Sequence, residues 1–166
     1  MSCLGVHFAL SADQTAQLRT IRDERKRLDY VREIEERFLS GEKTWAAETD
    51  KSWDALHRLM ADGRLTWDGG TYPLNHVVLA GELLYTGDDY IMTLKTPAQV
   101  RDIDGALRQM TETEFRERYF RIDATDYDVE LSEDDLEYTW GWFGGVRDLY
   151  MRAAAVDRYV LFTADQ

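Results

Sequence analysis

The sequence predicts an α+β fold: one compact domain in which a small mixed β-sheet, including the N- and C-terminal strands, is covered by several α-helices. Three observations predict it. The chain opens on apolar residues alternating with period two and closes on an unbroken run of β-formers, YVLFTA, at residues 159–164. Between them lie stretches with apolar residues at helical spacing, several introduced by capping signatures. Strands and helices do not alternate regularly, which disfavours a doubly wound parallel sheet. With 166 residues, 44% of them hydrophobic, the chain is long enough to bury a core of its own. It holds only two prolines and shows no repeat or linker, so residues 1–166 read as a single domain.

In chain order, Leu4, Val6, Phe8 and Leu10 alternate with Cys3, Gly5, His7 and Ala9, the pattern of a half-buried strand. Ser11-x-x-Gln14 is a capping box that opens a helix, and Leu18, Ile21, Arg25 and Leu28 continue the helical spacing. Val31, Ile34 and Phe38 repeat it until Ser40-Gly41 stops it, so residues 11–40 form two helices or one bent helix. The charged stretch RDERKRLDY is a solvated face.

Residues 46–61, AAETDKSWDALHRLMA, read as one amphipathic helix with Thr49 or Asp50 at the N-cap. Trp53, Leu56 and Met60 then share an apolar stripe widened by Ala55 and Leu59, and Asp50, Asp54 and His57 lie along its edge. Asp62-Gly63 ends the period. The Gly-rich turn at Asp68-Gly69-Gly70 has neither GxGxxG spacing nor a Gly-Lys-Ser/Thr triplet, so no nucleotide cradle is expected. Residues 75–79 form a short helix or strand, and YIMTLK at residues 90–95 forms a strand.

Thr96-Pro97-x-Gln99 starts the next helix, with Val100, Ile103, Leu107 and Met110 buried. Thr111-x-x-Glu114 starts a short one with Phe115 and Tyr119 inward. RIDATDYDVEL is an acidic loop, and Ser132-x-x-Asp135 opens the last and longest helix, whose core-facing seam is Leu136, Trp140, Phe143, Tyr150 and Ala154. Gly141, Gly144 and Gly145 in its interior predict a bend or a close helix contact.

Composition excludes several functions. The formal charge is −12, and no Lys/Arg stripe offers a phosphate-binding footprint, so no nucleic acid is expected as a partner. Acidity suits solubility first and a basic protein partner second. The one cysteine, Cys3, has no mate for a disulfide or a CxxC pair and reads as a small buried hydrophobe. The start of the sequence, MSCLGVHFAL, carries no basic leader, and no apolar run approaches membrane-spanning length, which predicts a soluble, cytoplasmic protein that makes no use of a membrane.

His7, His57 and His76 have no local metal-ligand spacing, so neither a metal nor a cofactor is expected.

The segments ETDKSWDALHRLM, YPLNHVVLAGE, YIMTLKTPAQVRDIDGAL, YxxELSEDDLEYTWGWF and YVLFTAD together resemble the DUF1877, or YfbM-like, family of bacterial proteins of unknown function. The resemblance runs along essentially the whole chain. It implies a compact α+β domain and no assigned activity, and its matching positions are Asp50, Lys51, Trp53, His57, Pro73, Leu74 and Gly81. Ala80-Gly81 departs from the Gly-Gly pair expected there.

Two functional expectations follow. The favoured one is a small cytoplasmic binding protein whose acidic face engages, and neutralises or regulates, a basic protein partner. Lys51, Trp53, Pro73, Leu74, Gly81 and Trp142 are its candidate binding residues, Trp142 because it cannot share one helical stripe with Trp140. The alternative is an enzyme in which His57, oriented by Asp50 or Asp54, is general base in a pocket near the Pro73-Leu74 loop, with Lys51 stabilising negative charge. A partner nucleophile is missing from it. Ser52 points off the His57 face, so a structural role, with Asp50 as cap and His57 in a buried hydrogen bond, is expected over catalysis.

Overall fold

The computed structural model describes residues 3–166. Among them are five strands, β1 (Gly5–Leu10), β2 (Ala46–Asp50), β3 (Glu82–Leu83), β4 (Tyr90–Lys95) and β5 (Tyr159–Asp165), and six helices. The helices are α1 (Ala12–Thr20), α2 (Glu24–Ser40), α3 (Trp53–Met60), α4 (Pro97–Gln109), α5 (Glu112–Tyr119) and α6 (Glu133–Ala155). The fold is α+β.

The sheet runs β2-β1-β5-β4-β3. Every neighbouring pair is antiparallel, which corrects the expectation of a mixed sheet. The first and last strands pair at its centre, from Gly5 opposite Ala164 to Leu10 opposite Tyr159. That position explains why β5 is apolar on both faces and why β1, expected to be half-buried, is buried along its whole length.

Helices cover both faces. Val6, Phe8, Leu10, Leu161, Met92 and Leu94 meet Leu18 of α1 and the α2 stripe Leu28, Val31, Ile34 and Phe38. On the other face Ala9, Ala47, Val160, Phe162 and Ala164 meet α3 to α6 through residues such as Trp53, Leu56, Ile103, Phe115 and Phe143. The result is a sheet between two helical layers.

Local signals placed most helix starts. Ser11 with Gln14 and Thr96 with Gln99 form complete capping boxes, and Thr111 and Ser132 accept from the backbone N–H three residues on. Residues 11–40 are two helices, the second capped by Asp23. The α6 glycines do not interrupt the helix. A Cβ at Gly141 or Gly144 would meet nothing within 4 Å, so neither marks a close contact.

The stretch 46–61 corrects the sequence reading most. Ala46–Asp50 is not helical but the edge strand β2, paired with β1 through Val6 opposite Glu48 and Phe8 opposite Ala46. Pairing outweighs the weak helical preference of Ala-Ala-Glu, and Thr49 fits a pleated surface. The register shifts between Gly5 and Val6, and Asp50 adopts φ 48°, a left-handed turn that Asp tolerates better than most residues.

Candidate functional site

Beyond that turn, α3 carries the expected apolar stripe. Trp53 is buried, packs against Phe162 at 5.8 Å between ring centroids, and donates its indole N–H to the Cys3 carbonyl at 2.9 Å. Its ring lies against Gly5, where any Cβ would sit 2.7 Å from it. Lys51 is exposed in the preceding turn, and the buried Ser52 hydroxyl donates to the Thr49 carbonyl at 2.6 Å.

The imidazole and carboxylates of the enzyme reading are engaged elsewhere. His57 is fully buried, and its Nε2 lies 2.5 Å from the Thr66 carbonyl oxygen. Asp54 accepts instead from Arg58 at 2.5 Å, one turn on, and Arg58 also donates to Asp126 at 2.7 Å. Burial is the main force pushing the His57 pKa down, to about 4, against the hydrogen bond to Thr66. Asp50 ends the strand β2 ahead of α3.

The Pro73-Leu74 loop has a structural role. It follows a cis Tyr72–Pro73 bond, makes a short 3-10 turn over Leu74–His76, and leads into Val77–Ala80, buried backbone outside any helix or strand. Such backbone needs donors from side chains. Val77 O accepts from Tyr150 Oη at 2.7 Å and lies 2.9 Å from His7 Nε2; Val78 O accepts from Lys95 Nζ and, at 3.2 Å, from Thr93. Lys95 is fully buried, its Nζ donates to Val78 O and to the Thr93 hydroxyl, and burial drives its pKa well below the usual lysine value. Gly81, with φ 80°, closes the segment where a Cβ would lie 2.6 Å from the Leu94 carbonyl oxygen. Ala80 has φ 60°, so the two positions that the family resemblance marks for glycine are both left-handed.

A solvent-open site lies at another end of the sheet. Where β1, β5 and β4 run out under α2, two adjoining cavities of about 380 and 320 Å³ share Leu4, Glu35 and Leu39. The first reaches Tyr90, Asp165 and Arg32; the second reaches Glu48, Asp50 and Trp142.

Each wall follows from simple geometry. Arg32, Glu35, Glu36 and Leu39 fall at i, i+3, i+4 and i+7 on one flank of α2. Tyr90 and Asp165 are opposite each other across β4 and β5, and Glu48 is opposite Val6. Glu35, Glu36, Glu48, Asp50 and Asp165 thus surround a groove to which, among the described residues, one base contributes, Arg32. Burial raises the Glu35 pKa, and Asp165 and Glu48 add like-charge repulsion that Arg32 partly offsets.

The aromatic components differ in exposure. Trp142 is half-buried, edge to face with the exposed Tyr138 at 6.4 Å. Tyr90 is only 5% exposed, and its hydroxyl lies beside Thr163 and Glu35 yet completes a hydrogen bond with neither.

Of the sequence candidates, then, Asp50 and Trp142 come together in the groove, while Trp53 and His57 are buried on α3 and the half-buried Leu74 and Gly81 belong to the 73–81 segment. Glu35, Glu48, Tyr90 and Asp165 were not anticipated. They come from α2, β2, β4 and β5, and the only local hint was an acidic pair beside the α2 apolar stripe.

Among the described residues no helix is long and apolar enough to cross a membrane, and no three His, Cys, Asp or Glu side chains converge as a metal would require. No curated protein matches the chain. The solved structure of YfbM from Escherichia coli, described as a protein of unknown function, resembles it with a TM-score of 0.67 at 18% identity, over 97% of this chain and 99% of that one. At that identity the likeness shows the shared fold alone. The family described as "Domain of unknown function (DUF1877)" matches residues 1–163, and the chain belongs to it.

Proposed function

We propose that the protein is a small binding protein that docks a basic segment of a partner protein in the groove between α2 and the open end of the sheet, thereby neutralising or regulating that partner. The observation that carries this reading is the gathering of Glu35, Glu36, Glu48, Asp50 and Asp165 around adjoining cavities edged by Leu4 and Trp142, with Arg32 as the single opposing charge among the described residues. Carboxylates held together repel one another, and an incoming cation relieves that repulsion. Leu4, 45% exposed, and the half-buried Trp142 supply apolar and aromatic surface for the stem of a basic side chain.

The test uses labelled nona-arginine as a defined basic probe, followed by fluorescence anisotropy. Replacing Glu35 and Glu48 by Gln and Asp165 by Asn should weaken binding at least tenfold while leaving the melting temperature unchanged or higher. Neutralising three exposed acids outside the groove, Glu117, Glu137 and Asp148, should weaken it far less. Equal losses in the two triple variants would refute a localised site.

A further inference from the structure

Within the groove, Tyr90 differs from the acids around it. It is a buried side chain whose hydroxyl has no hydrogen-bond partner, in a protein whose other large buried tyrosines are satisfied: Tyr150 by Val77 O, and Tyr119 by Asp135. An orphaned buried hydroxyl is costly, and a fold that needed only packing there would be served by Phe. Tyr90 lines the cavity of about 380 Å³, opposite Asp165 across the β4–β5 ladder, and its hydroxyl lies just beneath the cavity surface beside Glu35. That volume is near the lower end for small-ligand pockets, roughly 300–1,000 Å³, and suits one long side chain.

We propose that this cavity is a receptor for a single guanidinium group, the side chain of an arginine in the basic partner, held by the carboxylates of Glu35 and Asp165 and by the Tyr90 hydroxyl. The inference rests on the partner-binding reading and names the anchor of that partner.

The chemistry favours guanidinium over ammonium. A phenol oxygen flanked by two carboxylates from different elements presents acceptors in divergent directions, which a planar fork with five N–H donors fills and a compact ammonium does not. Guanidinium is also the more weakly hydrated cation, so it loses less on entering a site that buries Tyr90 and half-buries Glu35. A guanidinium N–H can donate to the Tyr90 oxygen while the phenol O–H turns to donate to Glu35, so the orphaned group gains both bonds. Leu4 and Leu39 flank the aliphatic stem.

The experiment titrates the ¹⁵N-labelled protein with capped Gly-Gly-Arg-Gly-Gly, its lysine and citrulline counterparts, and agmatine, following amide shifts at pH 7. Tyr90→Phe removes only the unpartnered oxygen, so it should fold at least as well as the wild type.

The arginine peptide is expected to shift residues 35, 90 and 165 with saturation. The lysine peptide should bind at least fivefold more weakly, citrulline should not bind, and Tyr90→Phe should weaken arginine binding about tenfold. Citrulline or lysine binding equal to arginine would overturn the inference, as would a Tyr90→Phe protein with unchanged arginine affinity. Agmatine binding as tightly as the peptide would assign the site to a free metabolite and overturn the partner anchor. If nona-arginine binding is lost in the carboxylate triple variant while single-arginine shifts scatter over the acidic surface, the docking groove stands and the arginine receptor fails. Absence of both effects removes both.

Discussion

Lowering the pH should destabilise this protein through one residue that can be isolated, His7. Its side chain is completely buried between the sheet and the 77–81 segment, with Nε2 at Val77 O and no partner for Nδ1. Burial, with the nearby Lys95 acting in the same direction, lowers its pKa to about 3 against the partly compensating hydrogen bond to Val77. The unfolded chain has a histidine pKa of about 6.5, so between these values the unfolded state binds the extra proton. The stability contribution of neutral His7 is therefore fully present above about pH 6.5 and is lost as the pH falls towards 3.

At pH 4.5 the two-unit interval at about 1.36 kcal/mol per unit amounts to a loss of about 2.7 kcal/mol from this side chain. The assay is urea unfolding at pH 7.0 and 4.5 for the wild type and His7→Gln, in which the amide can still donate to Val77 O. Carboxylate effects common to both proteins cancel in the difference. The wild type should lose about 2.7 kcal/mol more than the variant across this interval. Equal losses would refute the claim that His7 is held neutral by burial.

Three further outcomes follow from the same reasoning. Burial holds the Lys95 pKa well below its ordinary value, so near pH 10 the unfolded chain binds more protons than the fold and wild-type stability should climb as the pH approaches 10.5 by up to about 1.4 kcal/mol per unit, a slope that Lys95→Met abolishes in denaturant titrations. Gly81→Ala should cost at least about 2 kcal/mol by chemical unfolding, from its φ of 80° and the Leu94 carbonyl, whereas Gly144→Ala, in open space within α6, should stabilise by about 0.5–1 kcal/mol. Glu35→Gln should raise the thermal midpoint at pH 7, because burial has pushed the carboxyl pKa up and its charged form is disfavoured in the fold; a lower midpoint would contradict that electrostatic picture.

The sequence carried the elements whose causes are local. Capping at Ser11, Thr96, Thr111 and Ser132 depends on atoms three residues apart, and the stripes on α2, α4 and α6 depend on a repeat of 3.6 residues, so both are visible in a single chain. The β1, β4 and β5 strands were legible for the same reason, and the family resemblance was carried by motifs along the whole chain.

What required the tertiary structure were the non-local decisions. Ala46–Asp50 becomes a strand because β1 offers it an edge, although its residues suit the start of a helix. That pairing separates Asp50 from His57 by a left-handed turn and places it in the groove with Glu35 and Trp142. His7, Lys95 and Tyr150 are polar side chains at buried positions because a loop distant in sequence needs its carbonyls satisfied, a demand no local pattern announces. The acidic groove has the same origin: α2, β2, β4 and β5 each contribute charged or polar residues that look like ordinary solvated surface in sequence. Only closing the sheet brings them within range of one another, because Coulomb and hydrogen-bond energies depend on separation in space and are blind to separation along the chain.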